Sequence, residues 1–124
     1  MKKLRFGWFT FTCCEDSTII FTELMNQHYR DWINQIEFVH AKVLKAINQM
    51  APMDVAFVEG AISSSAQETK LKQIRELSKK LIAVGACACT GMPAAYRNQF
   101  DAKTLQEIQP ILDQFQFAEK TKKI

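Results

Sequence analysis

The chain has 124 residues, 48% of them apolar, which is enough for one domain, residues 1–124, whose core needs no disulfide staples. Sixteen basic and 13 acidic residues leave a net charge of +3, and the surplus sits at the ends, in MKKLR and EKTKKI. No basic face with interleaved aromatics recurs, so a nucleic-acid partner is not expected, and no apolar run nears the roughly 18 residues of a membrane span.

The opening MKKLRFGWFTFTCC has the basic start of a signal peptide. Arg5 interrupts its apolar run, however, and no small-residue cleavage site follows, so residues 4–11 are expected to form a buried strand. A cytoplasmic location follows as the expectation, and there thiols stay reduced and serve metals or catalysis more often than disulfides. Residues 16–35 carry Phe21, Leu24, Met25, His28 and Trp32 at helical spacing, with Asp16 or Ser17 as N-cap. IEFVHA (36–41) reads as a second strand, and a short helix or loop leads to Pro52. DVAFVEG (54–60) is a continuous apolar strand that stops at Gly60. A serine-capped helix follows with Leu71, Ile74, Leu77 and Ser78 on one face, then a fourth strand, LIAVGACA (81–88). After the turn TGMP, a helix over 101–116 is expected to turn Leu105, Ile108, Ile111, Leu112 and Phe115 inward, with Pro110 as an irregularity.

Four apolar strands alternating with amphipathic helices predict an α/β fold, a doubly wound, flavodoxin-like parallel sheet with helices on both faces. That frame places Cys13 and Cys14 after the carboxyl end of the first strand, and Cys87 and Cys89 at the carboxyl end of the fourth. Sites in open parallel sheets form on this rim, near the point where strand order reverses. The two cysteine pairs are therefore expected to converge. A thiol cluster suits zinc or iron and sulfur, but the CC and CxC spacings fit a zinc ribbon poorly. The bland alternative, a buried cysteine acting as a small apolar residue, weighs most for Cys89 and least for the CCED turn.

The stretches GWFTFTCCEDS, MDVAFVEGAI and VGACACTGMPAAYRN, in this order and spacing over nearly the whole chain, resemble the small, electron-transfer subunit of nickel-iron hydrogenases. The related iron-sulfur subunit of respiratory complex I shares the same module. The resemblance implies a flavodoxin-like fold and a proximal 4Fe-4S cluster held by four cysteines beside the nickel-iron site of a large-subunit partner. Further electron-transfer subunits are also implied as partners. Carried onto this chain, Cys14 ahead of Glu15 and Cys87 within Gly85, Ala86, Cys87 and Ala88 match the family's ligands. In the hydrogenases the other first-loop ligand sits where Phe11 stands here, and the tandem cysteines of the complex I relatives make Cys13 its substitute. The family's fourth ligand lies in a downstream glycine-cysteine-proline segment, whereas this sequence runs to Lys122, Lys123 and Ile124 without one. A shortened chain or split gene, recruitment of Cys89, or an outside ligand each remain open, the first and last being preferred over Cys89.

Glu59, Gly60 and Gly85 fall on the same rim. Glu59 and Glu15 are expected to lie around the cluster, Glu15 also as an early helix acid favoured by the helix dipole, and the glycines to permit close backbone approach. His28 and His40 are read as structural. The expectation is an oxidoreductase subunit that passes electrons between a partner's nickel-iron site and a downstream carrier. Catalysis belongs to the partner, because this chain has no CxxC pairs to bind nickel. The alternative is a cofactor-free docking or scaffold subunit. A thiol redox enzyme using Cys87 and Cys89 is weaker, again for lack of CxxC.

Overall fold

The computed structural model describes all 124 residues. Its elements are β1 (Leu4–Thr10), α1 (Asp16–Gln35), β2 (Ile36–Ala41), β3 (Met53–Glu59), α2 (Ser65–Leu77), β4 (Ser78–Val84), α3 (Gly85–Thr90), a 3-10 helix (Ala94–Gln99) and α4 (Ala102–Gln114). The strands form one sheet in the order β2-β1-β3-β4, and every pairing is parallel. This is the flavodoxin-like arrangement: the chain steps from β1 to β2 on one side, then crosses to β3 and β4 on the other.

Alternation along β1 divides the core between the two faces. Phe6 and Trp8 point to one face and pack with Phe21 and Met25 of α1, where Trp8 and Phe21 stack with ring centroids 4.4 Å apart. Phe9 points to the other and joins Val39, Ala56, Val58 and Ile74 of α2. Helices on both faces are thus present, as expected. Asn48 closes β2 by accepting from the Ala41 amide at 2.7 Å. Ser64 caps α2 by accepting from Gln67 N–H, the serine cap that the sequence predicts.

Three expectations are corrected. The fourth strand occupies 78–84, not 81–88: Gly85 adopts φ +83°, and the small residues that follow coil into α3. The N-cap of α1 is Glu15 rather than Asp16 or Ser17, in left-handed backbone with φ 64° and with no side-chain cap bond of its own. Finally, the apolar residues of the long helices are less inward than their spacing suggests. In α4 only Leu112 is buried, while Ile111 and Phe115 face solvent. In α1, Leu24 and His28 are exposed. For Leu24 the reason is coverage: beyond α1, the β3–β4 side of that sheet face is left open. An apolar groove of about 890 Å³ opens there, lined by Phe6, Trp8, Ile20, Leu24, Phe57 and Val84 among others.

Candidate functional site

At the carboxyl rim the chain leaves β1 and at once leans on the segment after β3. Phe11 N–H donates to the Glu59 carbonyl at 2.8 Å, and Thr12 and Ala61 exchange two backbone bonds, at 2.9 and 3.1 Å. This crossing demands glycine at position 60. Gly60 has φ +91°, and a Cβ there would lie 2.8 Å from the Phe11 carbonyl carbon. Gly85 is constrained likewise, since its Cβ would meet the Ser17 hydroxyl at 3.0 Å. Both glycines have positive φ, and Gly60 lets the segments after β1 and β3 cross closely.

Glu59 is the centre of this junction. It is buried, 3% exposed, and accepts from the Thr18 amide at 3.2 Å, from the Thr18 hydroxyl and from the Thr10 hydroxyl at 3.4 Å. Thr18 in turn accepts from the Trp8 indole N–H at 2.9 Å. Thr18 is the third residue of α1, the position whose free amide an N-cap side chain ordinarily satisfies. Glu59, from a different strand, supplies that missing cap. The sequence does not reveal Thr18 as its partner, because the pairing is made between residues 41 apart.

The four thiols are all free. Cys13 is half-buried, Cys14 exposed, Cys87 buried and Cys89 exposed. Burial pushes the Cys13 thiol up to about 11. The Glu15 amide, donating to its Sγ at 3.3 Å, works against that, and the neighbouring Glu59, Cys14 and Cys87 add to it. Cys14 and Cys87, 73 positions apart in sequence, therefore each lie within electrostatic reach of Cys13. Cys89 does not join them. It is two residues from Cys87 on α3, so the two side chains diverge by about 200°, and its Sγ lies 3.6 Å from the Ala83 carbonyl oxygen. Glu15 sits exposed at the turn. No three His, Cys, Asp or Glu side chains are close enough to hold a single metal ion. The donor chemistry nonetheless suits iron at three positions: thiols from the turn after β1 and from α3, beside glycine-bearing backbone.

A strap made of the last residues closes the rim. Lys122 exchanges two backbone bonds with Ile62 at 2.8 Å, and Ile124 N–H donates to the Ala88 carbonyl at 2.9 Å. Arg97 holds the strap through the Ala118 and Glu119 carbonyls and the Thr121 hydroxyl, and Asn98 pairs with the Thr121 backbone. None of these contacts has a signature in the sequence.

A family model described as NADH ubiquinone oxidoreductase, 20 Kd subunit, matches residues 13–120. The chain belongs to this family. The expected kinship with complex I and hydrogenase subunits is therefore borne out. The family member is 29% identical over 105 residues to the vhu G subunit of the F420-non-reducing hydrogenase of Methanococcus voltae, a match that spans 85% of this chain and 36% of that protein. Its fold superposes with a TM-score of 0.76 on a chain of an NAD+-reducing [NiFe]-hydrogenase solved in the H2-reduced state, at 24% identity, covering 88% of this chain and 60% of that one. The chain thus spans about a third of the length of the curated relative and under two thirds of that of the solved one. No helix is long and apolar enough to cross a membrane.

Proposed function

We propose that this 20 Kd subunit homologue is the electron-transfer small subunit of a nickel-iron hydrogenase, docking on a large subunit that carries the nickel-iron site. In this reading Cys13, Cys14 and Cys87 hold a 4Fe-4S cluster, and the fourth ligand comes from outside these residues, since Cys89 points away from Cys87 on α3. The chemistry a bound cluster supplies is one-electron transfer. The protein's part is to place and shield it. Buried Cys87 limits water, Gly60 and Gly85 let backbone amides approach, and Glu59 pins α1 and the Cys13–Cys14 turn to the end of β3. The observation that supports the reading is that Cys14 and Cys87 both lie within electrostatic reach of Cys13, beside the reversal of strand order.

A second reading is favoured by one observation, the lack of any three-residue group able to hold a metal ion: a docking subunit that keeps the fold without the cofactor. Anaerobic co-expression with the product of the neighbouring gene, followed by iron and acid-labile sulfide assay and electron paramagnetic resonance, separates the two. About four irons per chain and a reduced cubane signal, lost in Cys14→Ala and in Cys87→Ala but kept in Cys89→Ala, are expected. A folded, stable, iron-free complex would overturn the cluster reading and leave the docking subunit.

A further inference from the structure

A second, polar cavity of about 410 Å³ lies between the ends of β1 and β2, the first turn of α1 and α2. It is lined by Trp8, Thr10, Glu15, Thr18, His40, Lys42, Val43 and Lys70. Two of its lining residues are lysines with no counter-charge bonded to them. Neither Lys42 nor Lys70 forms an ion pair, although four such pairs occur elsewhere. Lys70 is half-buried on α2, and its ammonium is disfavoured by burial and by Lys42. Lys45, a third lysine nearby, is already committed to the Phe38 carbonyl at 2.6 Å.

His40 stands beside these lysines, 5% exposed and stacked on Phe9 with centroids 4.2 Å apart. Its Nδ1 lies 3.1 Å from the Trp8 carbonyl, which can only accept, so Nδ1 carries the proton and Nε2 is the bare acceptor. Every buried polar side-chain atom in the protein has a partner. Nε2 has none, and it is therefore open to the cavity that His40 lines. The acids nearby do not neutralise the lysines: Glu15 lies on the wall without an ion pair, and Glu59 is bound behind the Thr10 and Thr18 hydroxyls.

Two unpaired ammonium groups beside one hydrogen-bond acceptor match an anion that carries both negative oxygens and an O–H. We propose that this cavity binds inorganic hydrogen phosphate, with Lys42 and Lys70 on its charged oxygens and Nε2 of His40 accepting from its hydroxyl. Sulfate, with the same shape and no proton at neutral pH, fits the lysines and offers Nε2 nothing.

The test is titration of the full-length chain with inorganic phosphate, sulfate and adenosine monophosphate at constant ionic strength, following the imidazole resonances of His40 and His28 and the heat of binding. Saturable phosphate binding should move His40 and leave His28 in place. It should be about tenfold tighter than sulfate, and weakened about tenfold in Lys70→Gln while Lys70→Arg stays within about threefold. Lys70 lies on a helix surface and Gln is a good helix former, so the variant keeps the fold. The adenosine monophosphate dianion has no phosphate hydroxyl and should bind no tighter than sulfate; binding of it tighter than that of inorganic phosphate would overturn the proposal. Equal binding of sulfate and phosphate, unchanged affinity in Lys70→Gln, or no saturation by about 10 mM would overturn the proposal.

Discussion

Cys13 and Cys14 are neighbours in sequence and opposites in environment, because Cys13 turns toward Glu59 and Cys87 while Cys14 faces solvent. The reactive form of a thiol is the thiolate. With its pKa near 11, Cys13 holds about two orders of magnitude less thiolate at pH 8 than an ordinary cysteine of pKa about 8.5. In iron-free protein, iodoacetamide should therefore label Cys14 and Cys89 first and Cys13 slowest of the accessible thiols, with Cys13 catching up as the pH approaches 11. Mass spectrometry of timed digests reads this order, and fast Cys13 labelling at pH 8 would contradict the burial described. The residue types at this rim are legible from the sequence alone. Their ranking is not, because it is set first by burial in the folded chain, to which Glu59 and Cys87, 46 and 74 positions away, add.

At the scale of elements, the join between α1 and β3 carries the rim. Helix α1 starts on a left-handed Glu15 that gives no side-chain cap, a costly conformation for a residue with a Cβ. The Glu59 carboxyl compensates by taking both the amide and the hydroxyl of Thr18. Glu59→Ala leaves those donors buried without an acceptor and should cost about 3 kcal/mol, against roughly half that for Glu59→Gln, which keeps an acceptor oxygen. Urea unfolding measures the loss. Faster amide exchange confined to the first turn of α1 would show that the bond acts as a cap, and equal stability of both variants with the parent would refute it. The β4–α3 boundary teaches a related lesson. LIAVGACA reads as one apolar strand, yet Gly85 at φ +83° ends it, so Cys87 and Cys89 stand on a helix and face different ways.

For the whole molecule, the consequence is a sheet covered unevenly. Helix α2 seals one face through Ile74, which is fully buried, whereas α1 leaves β3 and β4 bare on the other. Ile20 and Ile82 remain 50% and 40% exposed on the same sheet face as the apolar floor of Phe6, Trp8 and Phe57. Native protein should accordingly bind the neutral dye Nile red with a saturable rise in fluorescence. Leu24→Glu, on the exposed lip of α1, should cut that signal severalfold while the circular dichroism spectrum is unchanged. Dye uptake appearing only on unfolding would show the groove to be closed in solution.

Strand and helix order, the parallel sheet, the glycines at the rim and the candidate cysteines were determined by the sequence itself. Each rests on local patterning, whether apolar runs, helical spacing or a residue that tolerates positive φ. The tertiary structure alone decided how deeply each thiol is buried, that Glu59 caps a helix it does not adjoin, that Lys42 and Lys70 share a cavity with His40, and that half of one sheet face is bare. Those features are contacts between segments tens of residues apart, and periodicity within a segment carries no information about what the fold will set against it.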